Sequence, residues 1–242
     1  MGLNSVLGVI ARSNLRDLDI SHNSIEVEEC SIISQILSTE SKLATLTLSN
    51  NNIGEDGAFY IAEGLRANKG LEALDISHTA MNGAAGRMIF RALQNHPTLK
   101  HLDISNNNFG DEGALELAAL LKTNNNILET LIVSMNSIES DGSAAIMESL
   151  LYNRHLKKFY YGPGNYLLGD SATSLGNALR APESGLIKLD ISGCVMSRSG
   201  ILFLGKSLIP NIGLKELIMK GNDLSKVAIP FIADISENKY LT

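Results

Sequence analysis

What this chain lacks narrows the field first. It carries two cysteines in 242 residues, Cys30 and Cys194, far apart along the sequence. That does not make a disulfide-stapled scaffold, and it fits a reducing compartment. No Asn-x-Ser/Thr acceptor occurs among the many asparagines. No apolar run approaches the roughly 20 residues that span a bilayer, so no membrane partner is expected. Residues 1–10 lack the basic flank and long apolar stretch of a secretion signal, and a cytoplasmic location is expected. There is no surplus of positive charge. The balance is 20 basic against 26 acidic residues, and phosphate binding needs a concentrated basic surface, so nucleic acid is not an expected partner. No phosphate-cradling loop is present either, because Gly162-Pro163-Gly164 lacks the following lysine and helix start. No cofactor or metal is expected.

What the chain has is enough apolar content to fold, at 44% hydrophobic and 19% charged residues, and a repeat. Leu15, Leu18, Ile20, Asn23 and Ile25 set a spacing that returns as Leu43, Leu46, Leu48, Asn51 and Ile53. It returns again from Leu71, Leu99, Leu128, Leu156, Leu186 and Leu214, with Thr79, Gly164 and Cys194 in the asparagine slot of three units. The starts are 28 to 30 residues apart, so the array is read before any single segment. The fourth and sixth positions of each unit show the strand period of two. A turn follows, where an asparagine side chain can bond backbone groups left unpaired by the bend. The period then becomes helical: Gly57, Ala58, Ile61, Ala62 and Leu65 share one face, as do Gly113, Ala114, Leu117, Ala118 and Leu121. Small residues at the helix start predict close packing on the neighbouring helix. Asn- and Gly-rich turns such as Asn68-Lys69-Gly70 and Thr123 to Asn126 end the helices. Cys194 reads as a buried structural thiol.

These units resemble leucine-rich repeats of the ribonuclease-inhibitor-like class, with Leu-x-x-Leu-x-Leu-x-x-Asn/Cys-x-Leu followed by Gly-Ala-x-x-Leu-Ala-x-x-Leu. The resemblance implies an α/β solenoid, a horseshoe with parallel strands on the concave face and helices on the convex face. It covers one domain, 1–242, of eight units with a partial helical unit at 1–14. Residues Leu3 to Ile10 read as a helix whose strand is missing, and Thr242 falls where a ninth unit would begin. The chain is either an excised part of a longer protein or capped by its own half-repeats. Members of the class include ribonuclease inhibitors, immune-receptor sensor domains, the tropomodulin actin-capping domain, Ran GTPase activators and bacterial effectors. Most bind proteins along the curve, so a protein-interaction module or scaffold is expected.

Residues between the core positions of each strand point into the concavity. The fifth-position column reads Asp19, Thr47, Asp75, Asp103, Ile132, Tyr160, Asp190, Ile218. The third-position column includes His101, Lys158 and Lys188, and the turn side carries Met135. Apolar residues at such positions are informative, because core packing does not require them, and aromatic anchors rimmed by polar groups make protein hot spots. The candidate partner-binding residues are therefore Asp75, Asp103, His101, Ile132, Met135, Lys158 and Tyr160, centred on 130–166. Asp75 and Asp103 suit basic residues of a partner, although the repeated Leu-Asp-Ile-Ser phrase reads equally well as a solubilising edge. The sixth unit breaks the phrase with Phe159 to Tyr166: Tyr161 is expected in the core, Tyr160 exposed and Gly162-Pro163-Gly164 projecting at the rim.

Two further readings fit the resemblance. A GTPase activator resembling the Ran activators would use a loop asparagine or arginine, for which Asn52, Asn82, Asn108 and Arg12 are the candidates, but the chain lacks that family's acidic tail. A bacterial or parasite effector would bind a host protein by the same face, in the host cytoplasm. His78, His101, Asp75 and Asp103 lie together because the phrase repeats, and not in a metal spacing. His96, before Pro97 in a turn, is expected at the surface. A monomer is expected, with the reservation that an open end can stack on a copy of itself.

Overall fold

The computed structural model describes residues 14–39, 42–123 and 127–241. The expected helical unit before residue 14, Arg12, Asn124 to Asn126 and Thr242 lie outside these.

Each unit forms one short strand and one helix. The main strands are β1 (Asp17–Asp19), β2 (Thr45–Thr47), β3 (Ala73–Asp75), β4 (His101–Asp103), β5 (Thr130–Ile132) and β6 (Lys158–Tyr160). After a short β7 (Tyr166–Leu167) come β8 (Lys188–Asp190), a short β9 (Val195–Met196) and β10 (Glu216–Ile218). Each main strand covers the third to fifth positions of its unit. They form one parallel sheet in the order β1-β2-β3-β4-β5-β6-β8-β10, while β7 and β9 pair separately. The register repeats without slippage, Leu46 beside Leu74 and Leu102 beside Leu131. Consecutive strands that are parallel and adjacent need a crossover each time. The helices supply it: α1 (Val27–Ser38), α2 (Gly54–Ala67), α3 (Gly83–Leu93), α4 (Gly110–Lys122), α5 (Ser140–Ser149), α6 (Asp170–Arg180), α7 (Arg198–Leu208) and α8 (Ala228–Ser236).

The core lies between the sheet and the helices. Leu46, Leu74, Leu102, Leu131, Phe159 and Leu189 line it from the fourth position, and Ile61, Ile89, Leu117 and Leu175 from the helices. A β-carbon at Gly142 would come within 2.6 Å of Ala114 on the preceding helix. The small residue expected at the helix start is therefore what lets successive helices approach. At the array's start Leu15 is exposed, unlike the buried first-position leucines after it.

Two asparagine ladders tie units together. In the first, Asn51 donates through Nδ2 to the Ile20 and Leu48 carbonyls, and its Oδ1 accepts from the Asn23 and Ile25 N–H groups. Asn107 and Asn136 repeat much of this pattern. The sixth unit corrects the sequence reading. Its slot is filled by Asn165, not Gly164: Asn165 accepts from the Asn136 and Ile138 N–H groups and donates to the Val133 and Tyr161 carbonyls. The turn holds one extra residue, so Leu167 takes the buried eleventh position and Tyr166 is exposed. Tyr161 is buried as expected, against Phe159 and the Ser143 hydroxyl.

The second ladder lies at the helix ends. Asn68 donates to the Leu37 carbonyl and accepts from the Gly70 and Leu71 N–H groups. Asn153 and Asn211 do the same with Leu121 and Leu179. Each stands three residues before the leucine that opens the next unit. Asn238 follows suit with Tyr240 and Leu241, which stands three residues after it. His96 stands in the same slot before Leu99, and this overturns its surface assignment. It is buried at 7% exposure, and neither ring nitrogen has a hydrogen-bond partner among the described residues. Burial, and then the Lys69 charge, push its pKa down from 6.5 to about 4.

Candidate protein-binding site

The concave face is built from the third and fifth positions of the strands, and the register brings the candidate residues together. Asp75 and Asp103 are partners across β3 and β4, with Ala73 beside His101 on the same two strands. Ile132 and Tyr160 are partners across β5 and β6. Strands in a sheet lie about 4.8 Å apart, so these pairs touch or nearly touch. Ala73 is the smallest side chain in its column, and the sheet dips there. The depression has a volume of about 130 Å³ and is lined by Thr47, Asp75, His101, Asp103, Thr130 and Ile132 among others. It joins the acidic candidates to the apolar one.

The aspartates have a structural job first. Asp19, Asp75, Asp103 and Asp190 each accept, through Oδ1, the N–H of the serine two residues on. This turn explains why Leu-Asp-Ile-Ser recurs, and it leaves the second carboxylate oxygen of each for other partners. Burial pushes Asp103 above the ordinary carboxylate range, the Ser105 hydrogen bonds oppose this, and Asp75 adds to it. A cation arriving in the depression would relieve that cost.

Tyr160 is half-buried. The Lys188 ammonium sits 5.5 Å from its ring centre and 2.8 Å from the Glu216 carboxylate. The contact reaches one strand over and one pair along, from β8 to β6. Lys188 and Glu216 were therefore missed by reading straight across the columns. The glutamate hydrogen bond raises the Lys188 pKa. Lys158, beside Lys188 in the register, is exposed.

Met135 lies apart, at the turn rim. It closes a groove of about 400 Å³ with His78, Asn106, Asn107, Ser137 and Gly164. The groove meets the depression only through neighbouring turns. Its eighth-position column is left-handed, from His22, Asn50, His78, Asn106 and Met135 to Gly193 and Gly221, with Gly164 taking that place in the sixth unit because of its extra residue. Asparagine and glycine tolerate that conformation, and a long apolar side chain gains nothing from it. Yet Met135 is there, 46% exposed. Gly164 is required beneath it, since a β-carbon there would lie 2.6 Å from the Met135 sulfur.

Asn82 caps α3 by accepting the Ala85 N–H and donates to Glu55, so it is already engaged. Both thiols are buried, and burial raises Cys30 and Cys194 to about 12. Among the described residues no three His, Cys, Asp or Glu side chains are grouped to hold a metal, and no helix is long and apolar enough to cross a membrane.

A parallel sheet lined by one helix per strand, with asparagines linking one turn to the next, defines a solenoid built from a single repeated unit. The chain folds as a leucine-rich-repeat solenoid. Leucine-rich-repeat family models match residues 14–37, 41–62 and 95–118. Human NACHT, LRR and PYD domains-containing protein 14 is 28% identical over 128 residues, which is 53% of this chain. The Rho GTPase-activating protein gacW of Dictyostelium discoideum is 32% identical over 133 residues, 52% of this chain. The chain spans only 12% of the length of each of these relatives. Among solved structures, a chain of the yeast Rad7 and Elc1 complex aligns over 99% of this chain and 71% of its own length, with a TM-score of 0.55 and 15% identity. That likeness is one of fold. Leucine-rich-repeat arrays are protein-interaction modules, and these likenesses support that class for this chain.

Proposed function

We propose that the middle of the concave face holds a partner protein, anchored on Ile132 and Tyr160. The observation that carries this is their placement side by side on adjacent strands, facing outward, where the fold asks for no apolar residue. The depression at Ala73 next to them suits a lysine or arginine side chain, with Asp75 and Asp103 offering their unused oxygens and His101 at its edge. Lys188 and Lys158 on the other side suit an acidic group. The partner surface is thus basic opposite β3–β4, apolar opposite β5–β6 and acidic opposite β8. Met135 offers a separate apolar contact at the rim.

The test is affinity capture from cell lysate with the natural chain and with an Ile132→Asp, Tyr160→Ala double variant, after circular dichroism confirms that both fold. A protein retained by the first and lost by the second supports the site. Identical capture by both contradicts it. A small GTPase among the lost proteins would favour the activator reading. The match to gacW covers 52% of this chain and 12% of that protein, and Arg12 lies outside the described residues.

A further inference from the structure

The contact features of the concave face stand on consecutive strands, so the sheet fixes their separations. Asp75 and Asp103 lie on β3 and β4, Ile132 and Tyr160 on β5 and β6, and Lys188 on β8. Each of these side chains is half-buried, held by its neighbours and still open to solvent. The Lys188 ammonium stays over its own strand, between the Tyr160 ring on β6 and the Glu216 carboxylate on β10. Neighbouring strands lie about 4.8 Å apart. The apolar pair is therefore centred about 10 Å from the aspartate pair, and Lys188 lies about 17 Å from it, measured across the strands. A partner segment lying along that direction must present matching side chains on one face at those two intervals.

We propose that the bound segment is an α-helix laid across the strands, with a Lys or Arg, a large apolar residue seven along and an Asp or Glu four beyond that, in either chain direction. It rests on the concave-face site proposed above and names that site's occupant. A helix rises about 1.5 Å per residue, so seven residues advance about 10.5 Å and eleven about 16.5 Å. At about 100° per residue, both positions return to within about 20° of the starting face. An extended segment fails the same measure. Its side chains recur on one face about every 6.8 Å, so distances of about 10 Å and about 17 Å fall midway between recurrences. Nor does the sheet reward an extended partner, because β3, β4, β5, β6 and β8 are each paired on both sides and offer it no main-chain hydrogen bonds. A helix is about 10 Å wide, close to the three-residue width of each strand. Charge selects the helix further. The unused Asp75 and Asp103 oxygens take its basic residue, and Lys188, with exposed Lys158 beside it, takes the acidic one.

A display library that tiles the source organism's proteins as short segments tests this, selected on the natural chain and counter-selected on the folded Ile132→Asp, Tyr160→Ala double variant. Segments retained only by the natural chain are expected to share basic, apolar and acidic residues at separations of seven and four. A synthetic peptide of the most enriched segment is then measured by fluorescence anisotropy. A proline between its apolar and basic residues is expected to weaken binding about tenfold or more, by breaking the helix. Asp75→Asn with Asp103→Asn keeps the oxygen that each turn uses and removes both charges. It is expected to weaken the natural peptide about tenfold or more, and exchanging the peptide's basic residue for Gln should then cost nothing further. Segments lost on the double variant that lack the spacing, or that tolerate the proline, overturn the helix and leave the concave site standing. So does a basic residue that still matters on the Asn variant. Segments indifferent to the double variant overturn the site and the helix together, and a library that yields no binder overturns the helix.

Discussion

Leu131 and Leu217 occupy the same position of the same repeat, yet one is fully buried and the other is not. Both side chains point from the sheet toward the helices. The difference is that Leu131 has a strand and helix on either side, whereas among the described residues Leu217 has them on one side only. In a solenoid, burial belongs to the interface between units and not to the unit, so stability is approximately a sum over neighbours. The same residue type therefore does different work in the interior and at the end. In the interior it holds the array together, and where no described unit follows it is only half-buried.

The comparison can be broken at its strongest point first. Leu131→Ala should cost about 2–5 kcal/mol, the usual range for a buried leucine, and Leu217→Ala clearly less, by urea denaturation of each variant. Equal losses would mean that position and not neighbours sets the energy. Next comes His96, an interior residue whose ring nitrogens have no partner among the described residues. Its pKa is depressed in the fold, so the stability it permits is complete above its ordinary 6.5 and drains away as pH falls from there toward about 4. The full loss is about 3 kcal/mol. His96→Asn should remove that pH dependence and raise stability at pH 7, by giving the slot the bonds that Asn68 and Asn153 make. A natural chain with unchanged stability across this window would contradict the burial of the ring.

Asn136 against Asn222 sharpens the comparison within one ladder. Asn136 bonds through both ends of its amide, while the buried Oδ1 of Asn222 has no partner among the described residues. Asn136→Ala is expected to cost about 1–3 kcal/mol, by exposing buried backbone groups without partners, and Asn222→Ala less. The smallest effect is at the rim. Met135→Asn should stabilise the free chain by about 1 kcal/mol, since asparagine accepts the left-handed conformation more readily. If thermal melting shows no gain, Met135 sits there without cost, and its claim to a contact role weakens.

Much of this was legible in the sequence, for reasons of period. Strand and helix positions alternate so regularly that Leu18, Leu46 and Leu74 mark their own strands, and Cys194 reads as a core residue from its slot alone. The sixth unit misled because counting straight through its turn assumes constant length, and the extra residue moved the slot from Gly164 to Asn165 and the core position from Tyr166 to Leu167. His96 was hidden for a different reason. The second ladder appears only when Asn68, Asn153 and Asn211 are aligned on the leucine that follows them, and histidine does not announce itself as a member. At the concave face the columns were readable, but not which residues meet across them. Lys188 reaches Tyr160 diagonally, and the aspartates spend one oxygen on their own turns, both matters of side-chain direction that spacing does not carry.

The claim that units are completed by their neighbours is tested most directly by hydrogen exchange of the sixth-position amides in this chain. Protection should be highest at Ile76, Ile104 and Val133, and Met219 should exchange fastest of the series, with α8 the least protected helix. Protection as high at Met219 as at Ile104 would contradict the account, because the end of the array would then be as complete as its middle.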